Sequence, residues 1–335
     1  MLRILTLLLA VSGFLLSPGA SAVCTLARGT PTTLNIPAQV IHLAADAPVD
    51  TSTPIAGATY DSNALSAVIG YDNCQEGTPI GKRPMNLGPQ NTSTKIYPTN
   101  ISGLGVKLLF SNGSMTDFGD FPSNTTIHFN DGKPIGTSDF NPGPFFRIEF
   151  YKTGKRINLT NPAGDTVLPA GELGYYFIIA ANPANYVMKL AIGEIKVVST
   201  PACTMSGTQT VDFNEVTPSL LKAGVTRPLD FQITCQSDYG AYSVKASMTT
   251  NTPSSDASYI RAKDANGNLD RLGIKITDTK GNPIKVNGTN TEDRPNVTSM
   301  GPAEYAWNAE LVPGAKATPA GGTFSAEAEI VFDIQ

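Results

Sequence analysis

Short apolar runs recur along the whole chain, and most alternate with a period of two. In "FSAEAEIVFDIQ", residues 324–335, Ala326, Ala328, Ile330, Phe332 and Ile334 share one face, while Glu327, Glu329, Asp333 and Gln335 share the other. That pattern predicts a half-buried β-strand. Val331 is the one apolar residue on its outer face. "TTLNIPAQVIHLA", "KIYPTNISGLGVKLLF", "PFFRIEFYKTG", "ELGYYFIIAA" and "VMKLAIGEIKVV" predict the strands of a first unit. "RPLDFQITCQ", "GAYSVKASMTT", "RLGIKITDT", "PIKVNG", "EYAWNAELV" and the terminal run predict those of a second. Gly, Pro, Asn and Asp bound these runs and helical periodicity is scarce, so the predicted class is all-β, with two β-sandwich domains.

The segment "VVSTPAC" interrupts the pattern, and Thr200 and Pro201 mark the junction between residues 23–199 and residues 200–335. Each part is long enough to bury its own core. No residue-level repeat relates the two.

Charged residues make up 16% of the chain, against roughly 25% in typical soluble domains. Thr, Ser and Asn supply much of the polar surface instead, a balance suited to an extracellular β protein. The net charge is −4 and Lys and Arg are not clustered, which argues against a nucleic-acid partner. At the start, "MLRILTLLLAVSGFLLSPGASA" combines Arg3, an apolar run and the small-residue site Ala20-Ser21-Ala22. Residues 1–22 therefore read as a cleaved secretory signal, leaving Val23 as the mature N-terminus. The run is too short to span a membrane.

The four cysteines are Cys24, Cys74, Cys203 and Cys235. Behind a secretory signal an even count favours disulfides, and sequence-local pairing joins Cys24 to Cys74 and Cys203 to Cys235. The competing reading, a tetrahedral metal site, has no CxxC and only His42 and His128 to draw on. No metal and no cofactor are expected.

The second unit has the length and strand count of an immunoglobulin sandwich, yet its cysteines fall on the first and second predicted strands. A seven-strand sandwich would also need a strand after Gln335. An uncovered edge with an apolar face is a site for pairing with another chain.

"YPTNISGLGVKLLF", "RIEFYKTG", "TPAC", "RLGIKITDTKGNPIKVNG" and "GGTFSAEAEIVFDIQ", in this order and with the two cysteine pairs, resemble the two-domain tip adhesins of chaperone-usher pili of Gram-negative bacteria. The resemblance implies a lectin-like, receptor-binding first domain and an immunoglobulin-like pilin domain lacking its last strand. Ala326, Ala328, Ile330, Phe332 and Ile334, with Gln335, would accept a strand first from a periplasmic pilus chaperone and then from the next pilus subunit. An outer-membrane usher would export the chain to the fibre tip, on the outer surface of the cell. The receptor would be a host glycan or a matrix protein. A tip subunit acting only as assembly initiator or adaptor is the alternative.

In the mannose-binding member of that family the pocket uses the mature N-terminal amine, the loop after the second cysteine and a polar loop before the last strand of its domain. The corresponding stretches here are Val23, "QEGTPIGKRP" and "AANPANY", with Glu76, Arg83, Asn182, Asn185 and Tyr186 as candidate receptor contacts. One residue precedes Cys24 and the second loop has no acidic residue, so a ligand other than mannose is expected.

Other signals point elsewhere. "DANGNLD" places Asp264, Asn266, Asn268 and Asp270 like the start of a calcium loop, but Leu269 and Lys275 stand where such a loop needs Gly and Glu, and a hairpin turn is expected. Catalysis through His42 with Asp46, or through Asp117 with Asp120, has no GxSxG or HExxH support, and no enzyme is expected.

Overall fold

Pro37 and Gly193 set the plan of the first half. The computed structural model describes residues 24–316 and 318–335, so the expected secretory signal and Val23 lie outside the described residues. The run over 32–44 is two strands, Thr32–Ile36 and Gln39–Ala44, parted at Pro37, which has no N–H to give to a ladder. The run ending at 198 is likewise Tyr186–Ile192 and Ile195–Thr200, parted at Gly193 and Glu194. The broken runs lie side by side in parallel, with Ile36 opposite Ile192 and Gln39 opposite Ile195. They cross together from one sheet to another. Their approach requires glycine, because a Cβ on residue 193 would stand 2.3 Å from the Ala38 amide nitrogen.

The first of these sheets has five strands, in the order Ser123–Thr126, Pro79–Pro84, Gly171–Ile178, Tyr186–Ile192, Thr32–Ile36. Across the core runs the order Thr59–Asp61, Phe145–Lys152, Leu104–Ser111, Tyr97–Pro98. Leu34, Phe110, Phe146, Ile148, Phe150 and Val187 fill the space between and belong to one buried cluster drawn from residues 24–197. The sheet into which the paired strands cross is a third, in the order Asp165–Leu168, Ile195–Thr200, Gln39–Ala44, and a fourth joins Thr25–Arg28, Ile69–Gln75 and Ile135–Phe140. The Cys24–Cys74 disulfide ties its first two strands at their ends.

A second buried cluster, from residues 213–311, lies between two further sheets. One has the order Ala202–Met205, Val225–Gln236, Pro302–Pro313, Leu272–Thr277, Ile260–Ala262, and Cys203 is bonded to Cys235 across its first pair. The other has Ala241–Thr249 in the middle, flanked by Glu292–Thr298 and Glu329–Ile334. The all-β, two-layer class expected from the pattern is what the structure shows.

Some elements differ from the sequence expectation. The strand Glu292–Thr298 was hidden by Pro295 and by its charges, which an edge strand tolerates because one side of its ladder is free. "PIKVNG" contracts to the pair Pro283–Ile284. A short helix, Pro218–Ala223, starts on Thr217, whose hydroxyl accepts the Leu220 amide, and stops at Gly224 with φ 83°.

Glu292 is one of the buried carboxylates of this half, with Asp238, Asp264 and Asp278. Its carboxylate accepts the Trp307 indole N–H at 2.5 Å, the Arg294 guanidinium at 2.7 Å, and the amide and hydroxyl of Thr279. Burial pushes its pKa up, but the Arg294, Trp307 and Thr279 donors outweigh burial, and the net shift is downward.

Candidate functional site

The strand Glu329–Ile334 is paired along one edge only, with Ile334 opposite Val244, Phe332 opposite Ala246 and Ile330 opposite Met248. Gln335 and Ser243 exchange both backbone hydrogen bonds, at 2.8 and 2.9 Å. Hydrogen-bonded pairs alternate in an antiparallel ladder, so Asp333, Val331 and Glu329 also direct their backbone groups at that neighbour. The N–H and C=O groups of Ile330, Phe332 and Ile334 therefore face the opposite edge. Among the described residues no strand meets it. The side chains of these same three residues turn inward, partly buried against the second core, while Glu329, Val331 and Asp333 are exposed.

Beneath this strand opens a cleft of about 880 Å³. Buried Leu229, Phe231, Met248 and Ile260 form its floor, residues 205–211 one wall, and residues 324–332 the other. The Phe332 ring meets Phe231 at 5.9 Å and Tyr305 at 6.1 Å, over a stack in which Phe231 and Tyr305 lie 4.9 Å apart. Val211, Phe213 and Phe324 also line a second cleft, of about 1000 Å³, reaching the short helix, so the two adjoin. Of the expected acceptor residues, Ala326 is partly buried in the wall, Ala328 is exposed ahead of the strand, and Gln335 gives its backbone to Ser243.

At the other end of the molecule three loops converge. The Glu76 amide donates to Pro134, the Gly77 amide to Ile127 and the Ile179 amide to Pro79, each at 2.8 or 2.9 Å. These contacts bring Glu76 and the turn holding Asn182, Asn185 and Tyr186 to one end. Asn182 caps a single 3₁₀ turn by accepting the Ala184 amide at 2.9 Å, and the Lys189 ammonium lies 4.4 Å from the Tyr186 ring centre. Cys24, next to Val23 in the chain, is bonded to Cys74, two residues before Glu76.

Two residues that sequence reasoning did not place in the site complete this end. His128 Nδ1 lies 2.5 Å from Glu76 Oε1, and its Nε2 lies 2.9 Å from the Thr126 hydroxyl. The other Glu76 oxygen accepts the Phe129 amide at 2.8 Å. That amide first, and His128 second, hold the Glu76 carboxyl below its ordinary range. The three side chains form a hydroxyl–imidazole–carboxylate row, exposed and able to hydrogen-bond a polar ligand. Thr126 and His128 sit fifty residues from Glu76, and nothing local in the sequence links them.

Arg83 is placed differently from the loop position expected of it. It lies within the strand Pro79–Pro84, opposite Tyr175, roughly 13 Å along the chain from Pro79 at about 3.3 Å per residue. Its guanidinium donates to Ser123 O and Asn124 Oδ1 and lies 5.3 Å from the Phe177 ring centre.

Residues 192–335 match the family model described as fimbrial protein. This carboxy-terminal segment is similar to fimbrial proteins. No curated protein matches the chain. Solved structures similar to it include the CsuC–CsuE chaperone–tip adhesion subunit complex of Acinetobacter baumannii, at 12% identity over 93% of this chain and all of that one, with TM-score 0.40. Another is a mutant of the adhesin CfaE of enterotoxigenic E. coli, at 13% identity, 91% and 93% coverage and TM-score 0.36. A third is the receptor-binding domain of the Klebsiella pneumoniae adhesin MrkD1P, at 17% identity over 56% of this chain and 99% of that one, with TM-score 0.36. The match to the fimbrial family model agrees with the pilus resemblance read from the sequence.

Within the matched segment, the stretch that looked like a calcium loop is a turn. The Asp264 carboxylate accepts the amides of Asn266, Asn268 and Ala320 and the Asn268 side chain, which hold its pKa down to about 2. Among the described residues no group of three acidic, His or Cys side chains could hold a metal ion. In the amino-terminal half His42 and Asp46 are both exposed.

Proposed function

We propose that the chain is the tip adhesin of a chaperone-usher pilus. Residues 200–335 accept a β-strand from a periplasmic chaperone and then from the next subunit. Residues 23–199 bind a host glycan or matrix protein through the end bearing Glu76, His128, Asn182 and Tyr186. The protein passes the periplasm and an outer-membrane usher to the cell surface. Its work is binding, not catalysis.

The observation that carries this reading is the coincidence at Ile330, Phe332 and Ile334 of inward side chains and outward backbone groups above an apolar cleft. A β-strand laid on that edge pairs its backbone and fills the cleft with alternate side chains, which is how strand addition gives both affinity and specificity. Residues 201–335 expressed alone should fail to unfold cooperatively, and co-expression with a pilus chaperone should rescue the fold. A stable, cooperative monomer of residues 201–335 would overturn the reading.

Receptor binding is tested by a glycan array, with collagen and fibronectin in parallel, on the chaperone-held full chain. Binding to one ligand class that is lost in Glu76→Gln and Asn182→Ala is the expected result. Without any bound ligand, the chain is an assembly initiator or adaptor at the tip.

A further inference from the structure

The strand Ile195–Thr200 ends the first unit and Ala202–Met205 opens the second, so Pro201 is the entire connection. Proline has a fixed φ and no amide donor, and one such residue supplies no slack. The turn after Cys235 reaches back over this connection. The Gln236 side-chain amide donates to Ala45 O at 2.7 Å, and Asp238 O accepts the Leu159 amide at 2.9 Å. The Ser199 hydroxyl donates to the Asp238 carboxylate at 2.6 Å, and the Ser199 amide donates to the Tyr239 hydroxyl oxygen at 3.0 Å. Ser199 and Asp238 are both about 5% exposed, so water does not compete freely for these bonds. The Tyr239 ring packs against the first core.

Both sides of the contact are braced. Behind the turn, the Ser237 amide donates to the Ser299 hydroxyl, the Ser299 amide donates to Gly240 O, and Cys235 is held by its disulfide. On the facing side, the buried Lys152 ammonium donates to Ala45 O and to Ala47 O, at 3.2 and 2.6 Å, fixing the carbonyl that Gln236 uses.

We infer that the turn Gln236–Tyr239 is a lock that holds the two sandwiches as one rigid body, with Ser199, Leu159 and Ala45 as its seat. Pro201 sets the separation and the lock sets the angle. The far end carrying Glu76 and Tyr186 then keeps one direction relative to the strand-accepting edge, and a pull on the second unit is carried by this contact as well as by the peptide chain. The inference does not depend on what the far end binds.

Two amides report the lock directly, because the acceptors of Leu159 and Ser199 lie across the contact. In hydrogen–deuterium exchange of the full mature chain held by a pilus chaperone, both should exchange at least 100-fold more slowly than free amides. In the double variant Asp238→Ala/Tyr239→Phe both should speed up at least tenfold, while the amides of Phe146, Ile148 and Phe150 stay unchanged. Free-amide exchange at Leu159 and Ser199 in the wild type would overturn the inference, and so would unchanged protection in the double variant. Should that variant not fold, the wild-type rates and the milder Ser199→Ala/Gln236→Ala variant decide by the same criterion.

Discussion

Phe332 meets Phe231 edge to face at 5.9 Å, while its own backbone N–H and C=O point to an edge that no described strand covers. One residue thus belongs to the core by its side chain and to an uncovered sheet edge, among the described residues, by its main chain. The consequence is face-specific. Phe332→Asp places a carboxylate over the aromatic stack and should abolish capture by a pilus chaperone, seen as periplasmic degradation. Val331→Asp, one residue along and already 43% exposed, should accumulate like wild type. Equal behaviour of the two variants would contradict the inward geometry.

Glu292→Gln tests the buried carboxylate. Its folded pKa lies below the ordinary value, so its contribution to stability is complete above the usual carboxylate range and is lost as pH falls through the folded pKa. At pH 7 the variant should lose about 2 kcal/mol, the scale of hydrogen bonds to a charged group. Urea denaturation of the chaperone-held chain across pH should show the gap between wild type and variant closing below about pH 4, beneath the ordinary Glu range. A gap independent of pH would refute this account.

Gly193→Ala addresses the crossing of the paired strands. The added methyl would stand 2.3 Å from the Ala38 nitrogen, in backbone rather than in a movable side chain. The expected loss is about 2–3 kcal/mol, the upper range for overpacking, read from the denaturation midpoint of the full chain. Gly77→Ala serves as a strain control, since nothing lies within 4 Å of its Cβ position and only its positive φ of 82° is disturbed. It should cost less, about 1 kcal/mol.

Replacing both Cys24 and Cys74 by Ser opens a loop with a sequence separation of 50. The chain-entropy relation gives about 4 kcal/mol for that length. Equilibrium unfolding of the oxidised wild type and of the double variant measures it. Binding of any ligand class identified by the array should weaken with it, because Cys74 anchors the strand that leads into Glu76.

Much of this architecture was legible in the linear pattern. The alternation at Ile330, Phe332 and Ile334 is a period-two signal, and the terminal strand has that alternation in its burial. The strands Leu104–Ser111 and Phe145–Lys152 were visible for a different reason, their near-continuous apolar runs, which mark strands buried on both faces. The bend at Pro37 and Gly193 was present as letters but not as a decision. A proline and a glycine in separate runs show a change of sheet only once the two runs are known to be neighbours.

The sequence by itself determined which faces are apolar, where the chain is punctuated and which cysteines stand close in the chain, because these are local properties. Tertiary structure alone decided what those faces meet. It withdrew Arg83 from the loops into a strand, joined Thr126 and His128 to Glu76, and set Asp238 on Ser199. Such contacts join residues tens of positions apart, and their energies depend on burial and direction that no linear pattern encodes.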